Sequence, residues 1–127
     1  MSRPQLTDTE ELLHRHVHPQ FDRDGQLTSQ IFFTRAQPAE VSVNRGSMLT
    51  QEASYELACQ MGTPPTCGCC SVSVGECDSL SLQAWEDPID ENPAHAVIDM
   101  DHLNRKARET AAKQLLNFAR ERWRRFT

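Results

Sequence analysis

Residues 67–75 read CGCCSVSVG, a run of small and β-branched residues in a chain of 127. Such a run of small and β-branched residues is typical of a buried strand. The preceding Thr63-Pro64-Pro65 breaks the chain, so another element must end before it. We therefore predict that residues 67–75 form the central strand of a small sheet, with Glu76 and Cys77 at the end of that strand.

The N-terminal third carries one helix signal and two strand signals. Thr7 or Asp8 can cap a helix that must end before Pro19, because the residue before a proline avoids the α region. Residues 27–34 are rich in Thr, Ile and Phe, which predicts a strand. Residues 40–44 alternate valine with polar residues and predict a second, half-buried strand.

Local signals on either side of the central strand predict a turn, a helix and a last strand. Asp24-Gly25 is a turn signal. Thr50 is a suitable N-cap and Gly62 a suitable stop for a helix over residues 51–61. A loop with two prolines then leads to a short strand over residues 94–99.

The C-terminal region predicts a long helix over about residues 102–125, capped by Asp101. Its apolar residues recur at steps of four and three and form one stripe: Ala112, Leu116, Ala119, Trp123 and Phe126. Strands separated by helices, in a chain of this length, predict a single small α+β domain over residues 1–127. We expect three to five short strands with two or three helices, including the long C-terminal one.

Charge is distributed unevenly along the chain, whose formal net charge is −5. Residues 101–127 hold eight Lys/Arg and three Asp/Glu, whereas residues 1–100 hold the other five basic and fifteen acidic side chains. The chain thus divides into an acidic α+β body and a basic C-terminal helix. That helix either docks on the acidic body or contacts an acidic partner. The overall negative charge disfavours nucleic acid as the partner.

The composition also indicates the cellular compartment. No apolar run approaches the 18 or more residues of a membrane span, so we expect no membrane association. The first residues are charged and lack the apolar region of a secretory signal. An odd number of cysteines, five, argues against a disulfide framework. We therefore expect a cytoplasmic protein.

Three histidines lie within five residues of one another. In a helix His14 and His18 would share a face, whereas in an extended chain His16 and His18 would do so. His18 belongs to the pair in either conformation, which makes it the first candidate for a metal ligand or a catalytic group. A solvated surface is the alternative for all three.

Side chains at strand ends supply the remaining candidates. Glu76 and Cys77 would close the central strand, and His95 would open the last one, so these groups are predicted to meet His18 at one rim of the sheet. His18, Cys77 and His95 could hold one zinc ion with a spare position. Alternatively, His18, Glu76 and His95 could act as catalytic groups beside the Cys77 thiol. The Cys67–Cys70 cluster lacks the spacing of a zinc knuckle and is interpreted as core.

Motifs for serine hydrolysis, phosphate-binding loops, dinucleotide binding and zinc proteases are missing from the chain. The leading interpretation is therefore a small accessory domain that binds a protein partner, and the Cys/His enzyme is the alternative. Aromatic and arginine side chains usually anchor such interfaces. The candidates for partner binding are Trp85, Arg120, Trp123 and Arg124.

Several stretches together resemble a group of short uncharacterised bacterial proteins. They are Val17-His18-Pro19 with Gly25 and Thr28–Phe32, then Val41–Val43, Val74–Cys77 and Asn92–Ile98. The resemblance spans about residues 12–100 and leaves out the basic helix. It implies one compact bacterial cytoplasmic domain in which His18, Glu76, Cys77 and His95 are motif positions, and it implies no particular activity.

Overall fold

The computed structural model describes residues 3–62 and 65–127, so the predicted break at Thr63-Pro64 lies outside the described residues. The strands are β1 (Leu12–Val17), β2 (Asp22–Arg23), β3 (Gln26–Leu27), β4 (Glu40–Arg45), β5 (Gly68–Ser73), β6 (Gln83–Glu86), β7 (His95–Asp99) and β8 (Arg124–Arg125). The α-helices are α1 (Gln51–Met61), α2 (Val74–Ser79) and α3 (Arg105–Ala119), and short 3₁₀ helices cover Pro19–Phe21, Ser29–Phe32 and Arg120–Arg122. The mixed α+β class, a number of helices within the two or three predicted and the C-terminal helix are confirmed, but there are more strands than the three to five predicted.

Six strands form one antiparallel sheet in the order β6-β7-β4-β1-β5-β8. β2 and β3 form a separate hairpin. Its turn is made by Asp24 and Gly25, both with positive φ, which confirms the predicted turn. None of the helices in the described part of the chain is long and apolar enough to cross a bilayer.

The predicted N-terminal helix is wrong, because residues 12–17 form β1 in the middle of the sheet. The Asp8 carboxylate does accept a backbone N–H, from Glu10, but it closes a tight turn rather than a helix. Leu13 and Val17 are fully buried in the apolar core. The intervening His14 faces polar partners on the other side of the sheet. This period of two is that of a strand.

The central strand is confirmed as β5, but it ends two residues earlier than predicted. Ser73 Oγ accepts the N–H of Glu76, and the Glu76 carboxylate accepts the N–H of Ser73. This reciprocal capping box begins α2 directly after the strand. The prediction that Glu76 and Cys77 close the strand is therefore wrong, since both belong to α2.

The strand predicted over residues 27–34 is also wrong. β3 ends at Leu27, and Ser29–Phe32 form a 3₁₀ helix against α3. Ile31 and Phe32 are consecutive and both are buried in one apolar core. A strand would send them to opposite faces, whereas a 3₁₀ turn lets both enter the same core.

Short-range sequence signals correctly predicted the helix α1 and the strands β4 and β7. Thr50 Oγ1 accepts the N–H of Ala53 at 3.1 Å, and Gly62 ends the helix with φ 79°. The strands predicted near residues 40–44 and 94–99 are β4 and β7. These elements depend on short-range hydrogen bonds and alternation, which a sequence displays directly.

The C-terminal helix is shorter than predicted and is capped by Asn104 rather than Asp101. The Asn104 side chain accepts the N–H of Ala107, whereas the Asp101 carboxylate accepts the N–H of Ala39. The predicted stripe is buried at Ala112, Leu116 and Ala119. Beyond Ala119 the chain leaves the helix and adds β8 to the edge of the sheet beside β5.

We predict that Gly68→Ala lowers the free energy of unfolding by about 1–3 kcal/mol, because a Cβ at position 68 would overlap the Arg124 carbonyl oxygen of β8 and press on the Trp123 ring. Urea unfolding followed by tryptophan fluorescence measures this change. Arg124→Ala is the control. It removes an exposed side chain but keeps the carbonyl, so it should cost no more than about 1 kcal/mol. Equal costs for the two variants would contradict the steric argument.

Candidate functional site

The sheet divides between its two central strands. β1 pairs with β5 over its whole length, from Leu12 to Val17, and β4 pairs with β7 from Glu40 to Asn44. β1 and β4 pair with each other only at Leu13–Arg45 and His14–Asn44. Beyond that point the two halves of the sheet diverge. A cavity of about 390 Å³, which we call the cleft, lies between them and is lined from both strands.

The side chain of Arg15 bridges this divergence. Its Nη1 donates to the carbonyl of Ser42 on β4 at 2.8 Å, and its Nε donates to the carbonyl of Ile31 at 2.8 Å. The guanidinium thus supplies a donor at a place where a paired strand would otherwise have supplied a backbone N–H. Two of its nitrogens are used in this way, and the third, Nη2, has no acceptor among the described residues.

Arg15 is exceptional among the thirteen Lys and Arg side chains of the chain. Six of them pair with carboxylates: Arg3, Arg45, Arg105, Arg108, Arg122 and Arg125. Six others have no ion pair within the described residues but are exposed: Arg23, Arg35, Lys106, Lys113, Arg120 and Arg124. Only Arg15 is half-buried and lacks a carboxylate partner there. In residues 3–62 and 65–127 its Nη2 has no partner but is accessible to solvent. The sole side-chain nitrogen or oxygen in those residues that is both fully buried and without a partner is Thr28 Oγ1.

Nothing in the adjacent strand neutralises the Arg15 charge. Its partner in the β1–β5 register is Cys70. Burial raises the pKa of the Cys70 thiol to about 12, against the opposing influence of Arg15, so this group stays a neutral thiol near pH 7. Burial also lowers the pKa of Arg15 itself, but a guanidinium keeps its proton in proteins. The cleft therefore contains an uncompensated positive charge.

Two of the predicted site residues, His18 and His95, line the same cleft. Nδ1 of His18 accepts the N–H of Gln20 at 3.1 Å, so in the neutral ring Nε2 carries the proton and can donate. Nδ1 of His95 lies 2.9 Å from the Asp87 carbonyl oxygen and 3.1 Å from its carboxylate, so this nitrogen donates and Nε2 is left for a ligand. The structure thus places these two imidazoles, which are distant in sequence, on the wall of one cavity.

His16 and a buried amide network form another wall of the cleft. Nε2 of His16 donates to the Ser54 carbonyl at 3.0 Å, so its Nδ1 is an acceptor. Burial lowers the pKa of His16 to about 4, and the ring is therefore neutral near pH 7. Asn92 donates to Asn44 at 2.6 Å, and Asn44 donates to Ser54 Oγ at 2.8 Å. These hydrogen bonds fix the orientation of the polar wall.

Glu76 and Cys77 do not reach the cleft. The Glu76 carboxylate binds Arg122 with a shortest contact of 2.8 Å. Cys77 is fully buried in the apolar core, where burial, with Asp78 and Glu76 adding to it, raises the pKa of its thiol to about 12. This correction follows from the early end of β5, because residues on α2 turn away from the rim of the sheet.

The predicted zinc set is therefore not assembled. Residues 3–62 and 65–127 contain no group of three or more His, Cys, Asp or Glu side chains placed to hold a metal ion. His18 and His95 share the cleft without the third ligand, Cys77, that the prediction required.

The candidates for partner binding do not form one surface. Trp85 lies on β6 and Trp123 directly precedes β8, and these strands are the two opposite edges of the sheet. Trp123 is half-buried and packs against the core. Arg120 and Arg124 are exposed, and the guanidinium of Arg124 lies 5.1 Å from the centre of the Phe126 ring.

The basic C-terminal region is partly docked on the acidic body. This was one of the two predicted alternatives, the other being contact with an acidic partner. Arg122 pairs with Glu76 of α2, and Arg125 pairs with Asp22 of β2 at 2.6 Å. These contacts hold the segment after α3 against the sheet. They engage both guanidinium groups in ion pairs, although the Arg125 side chain remains exposed.

A second, larger depression of about 670 Å³ lies near the start of β1. The charged side chains that line it are mainly acidic: Asp8, Glu10, Glu11 and Glu121, against Arg122 and Arg124. Arg45 makes two hydrogen bonds to the buried Glu11 carboxylate, which also accepts from the Ser47 hydroxyl at 2.6 Å. Because acidic side chains outnumber arginines in this depression, and Arg122 is already paired with Glu76, the unpaired guanidinium of Arg15 makes the cleft the better candidate for a ligand site.

Sequence reasoning missed Arg15, His16 and Asn44 as site residues. A signal for Arg15 was present, since it lies between Leu13 and Val17 at a position where the period of a strand requires an apolar residue. A charged side chain on an apolar face is more informative than an exposed one.

Comparison with protein-family models, with curated proteins and with solved structures gives no match for this chain.

Proposed function

We propose that this chain is a binding domain for a small oxyanion, a carboxylate or a phosphate group, held in the cleft. The observation that carries the proposal is the half-buried Arg15 guanidinium, which has a free Nη2 and no carboxylate within ion-pair distance among the described residues. A planar guanidinium is well matched to carboxylate and phosphate oxygens. The Nε2–H of His18 is a further donor on the wall of the same cavity.

The test is a titration of the ¹⁵N-labelled protein with inorganic phosphate and, separately, with acetate, followed by NMR. Saturable shifts are expected at the amides of residues 15, 16, 18 and 42–44, which line the cleft, and not around Arg124. Arg15→Gln is expected to weaken binding about tenfold or more, since a hydrogen bond to a charged group contributes roughly 1.5–3 kcal/mol. Arg124→Gln, which removes an exposed guanidinium, is the matched control and should bind as the wild type does.

Two outcomes would overturn the proposal. One is the absence of saturable shifts in the wild-type protein with both anions, and the other is unchanged affinity in Arg15→Gln. Because Arg15 also holds two backbone carbonyls, circular dichroism must show that the variant is folded. The location of the shifts in the wild type keeps the test decisive if the variant does not fold.

We propose, as a second function, that the chain acts as a bacterial accessory domain that binds an acidic protein partner. The supporting observation is that Arg120 and Arg124 are exposed and have no ion pair within the described part of the chain. Substituting glutamate at both positions should abolish capture of a partner encoded by a neighbouring gene, whereas Arg23→Glu should not. The Cys/His enzyme receives less support, because Cys77 is a buried neutral thiol.

A further inference from the structure

We infer that the ligand of the cleft is an oxyanion joined to an apolar, ring-sized body, rather than a free inorganic ion. This inference rests on the proposed function and specifies its ligand. The cleft is larger than a free oxyanion requires. The cleft measures about 390 Å³, which lies within the range of small-molecule sites, roughly 300–1,000 Å³. A phosphate or carboxylate group fills only a few times the volume of a water molecule, roughly 30 Å³.

The apolar part of the cleft wall favours the same kind of ligand. Beside the polar groups, the cleft is lined by Phe21, Ile31 and Val43, of which Ile31 and Val43 are buried. These side chains offer nothing to a hydrated ion. They would instead bury an apolar group attached to the anion, at about 25 cal/mol per Å² of apolar surface removed from water.

Exposed apolar side chains also line the cleft. Three large apolar side chains are exposed in the described part of the chain: Met48, Met61 and Ile89. Met61 ends α1 and Ile89 lies in the loop between β6 and β7, and both line the cleft, whereas Met48 does not. Exposed apolar groups gathered at a cavity mark a binding surface more often than isolated ones do. We assign Met61 and Ile89 to contact with the apolar body of the ligand.

The experiment compares two phosphate monoesters, methyl phosphate and 1-naphthyl phosphate, by isothermal titration calorimetry on the whole chain. The naphthyl ester is expected to bind about tenfold or more tightly than the methyl ester, because its ring buries apolar surface. In the double variant Met61→Ala/Ile89→Ala this ratio should fall to about threefold or less. Both positions are exposed, so the variant should fold.

The control is Met48→Ala, which removes an exposed methionine outside the cleft and should keep the wild-type ratio. Equal affinities of the two esters for the wild type would overturn the inference while leaving the proposed function in place, provided that methyl phosphate binds and Arg15→Gln weakens it. An unchanged ratio in the double variant would overturn the assignment of Met61 and Ile89. If neither ester binds saturably, the inference fails. The proposed function fails with it only if acetate also gives no saturable shifts at the cleft.

Discussion

Replacing Phe32 by alanine is expected to lower the free energy of unfolding by about 3–5 kcal/mol. Phe32 is completely buried and is among the largest side chains of the core. It belongs to the 3₁₀ helix Ser29–Phe32, which packs against α3. Truncation there removes the whole ring from between two elements that are fixed by other contacts, so the cavity cannot close fully. Domains of this size have a total stability of about 5–15 kcal/mol, so the loss is a large fraction of it.

The neighbouring phenylalanine provides a matched control. Phe33 is only half-buried, and the guanidinium of Arg35 lies 5.9 Å from the centre of its ring. Phe33→Ala should therefore cost less, about 1–2 kcal/mol, because solvent already covers part of the ring. Urea unfolding monitored by circular dichroism measures both variants. If Phe33→Ala lowered the free energy of unfolding as much as Phe32→Ala does, the difference in burial between the two rings would be contradicted.

Acidification from pH 7.5 to pH 5.0 is expected to lower the free energy of unfolding by about 2 kcal/mol through His16 alone. The pKa of His16 in the folded protein is about 4, and it is about 6.5 in the unfolded chain. Between these values the unfolded chain binds a proton that the folded chain does not, so stability falls as the pH falls. Burial also lowers the pKa of His14, which acts in the same direction.

Carboxylates do not obscure this window. Burial alone would raise the pKa values of Glu11 and Glu76, but hydrogen bonds with Arg45 and Ser47, and with Arg122 and Ser73, lower both below their ordinary value. The stability that they contribute is therefore present above about pH 4.5 and is lost only below it. Urea unfolding at several pH values between 5.0 and 7.5 therefore measures the contribution of the histidines to the pH dependence of the free energy of unfolding.

Two variants separate His16 from the other histidines. His16→Gln can still donate to the Ser54 carbonyl but has no proton to gain, so its stability should change with pH by about 2 kcal/mol less than that of the wild type. His102→Gln replaces an exposed histidine and should keep the wild-type slope. A wild-type slope in His16→Gln would mean that position 16 does not carry the effect.

The elements that the sequence predicted well are those that short-range chemistry determines. The cap at Thr50, the stop at Gly62 and the alternation of Val41 and Val43 each act within a few residues. β1 was predicted as a helix because a capping signal at Asp8 was weighed above the alternation of Leu13 and Val17 with the histidines. The Asp8 carboxylate does accept a backbone N–H, from Glu10, but it closes a turn and does not cap a helix.

The candidate site could be predicted only in part, because it depends on tertiary structure. His18 and His95 were expected to approach each other, and both line the cleft. Arg15 has no motif around it, and its role depends on the divergence of β1 from β4, which no local pattern of residues specifies. Glu76 was assigned to a strand end because the capping box at Ser73 was not recognised, and that error also misplaced Cys77.

The position of β8 has a consequence for synthesis on the ribosome. β5 is covered on one side by β1, which precedes it in the chain, and on the other by residues 124–125. A nascent chain therefore carries β5 with one open edge until translation has passed α3. Open edges are where strands of separate polypeptides join, so crowded polysomes would expose this sheet to mispairing before the last strand emerges.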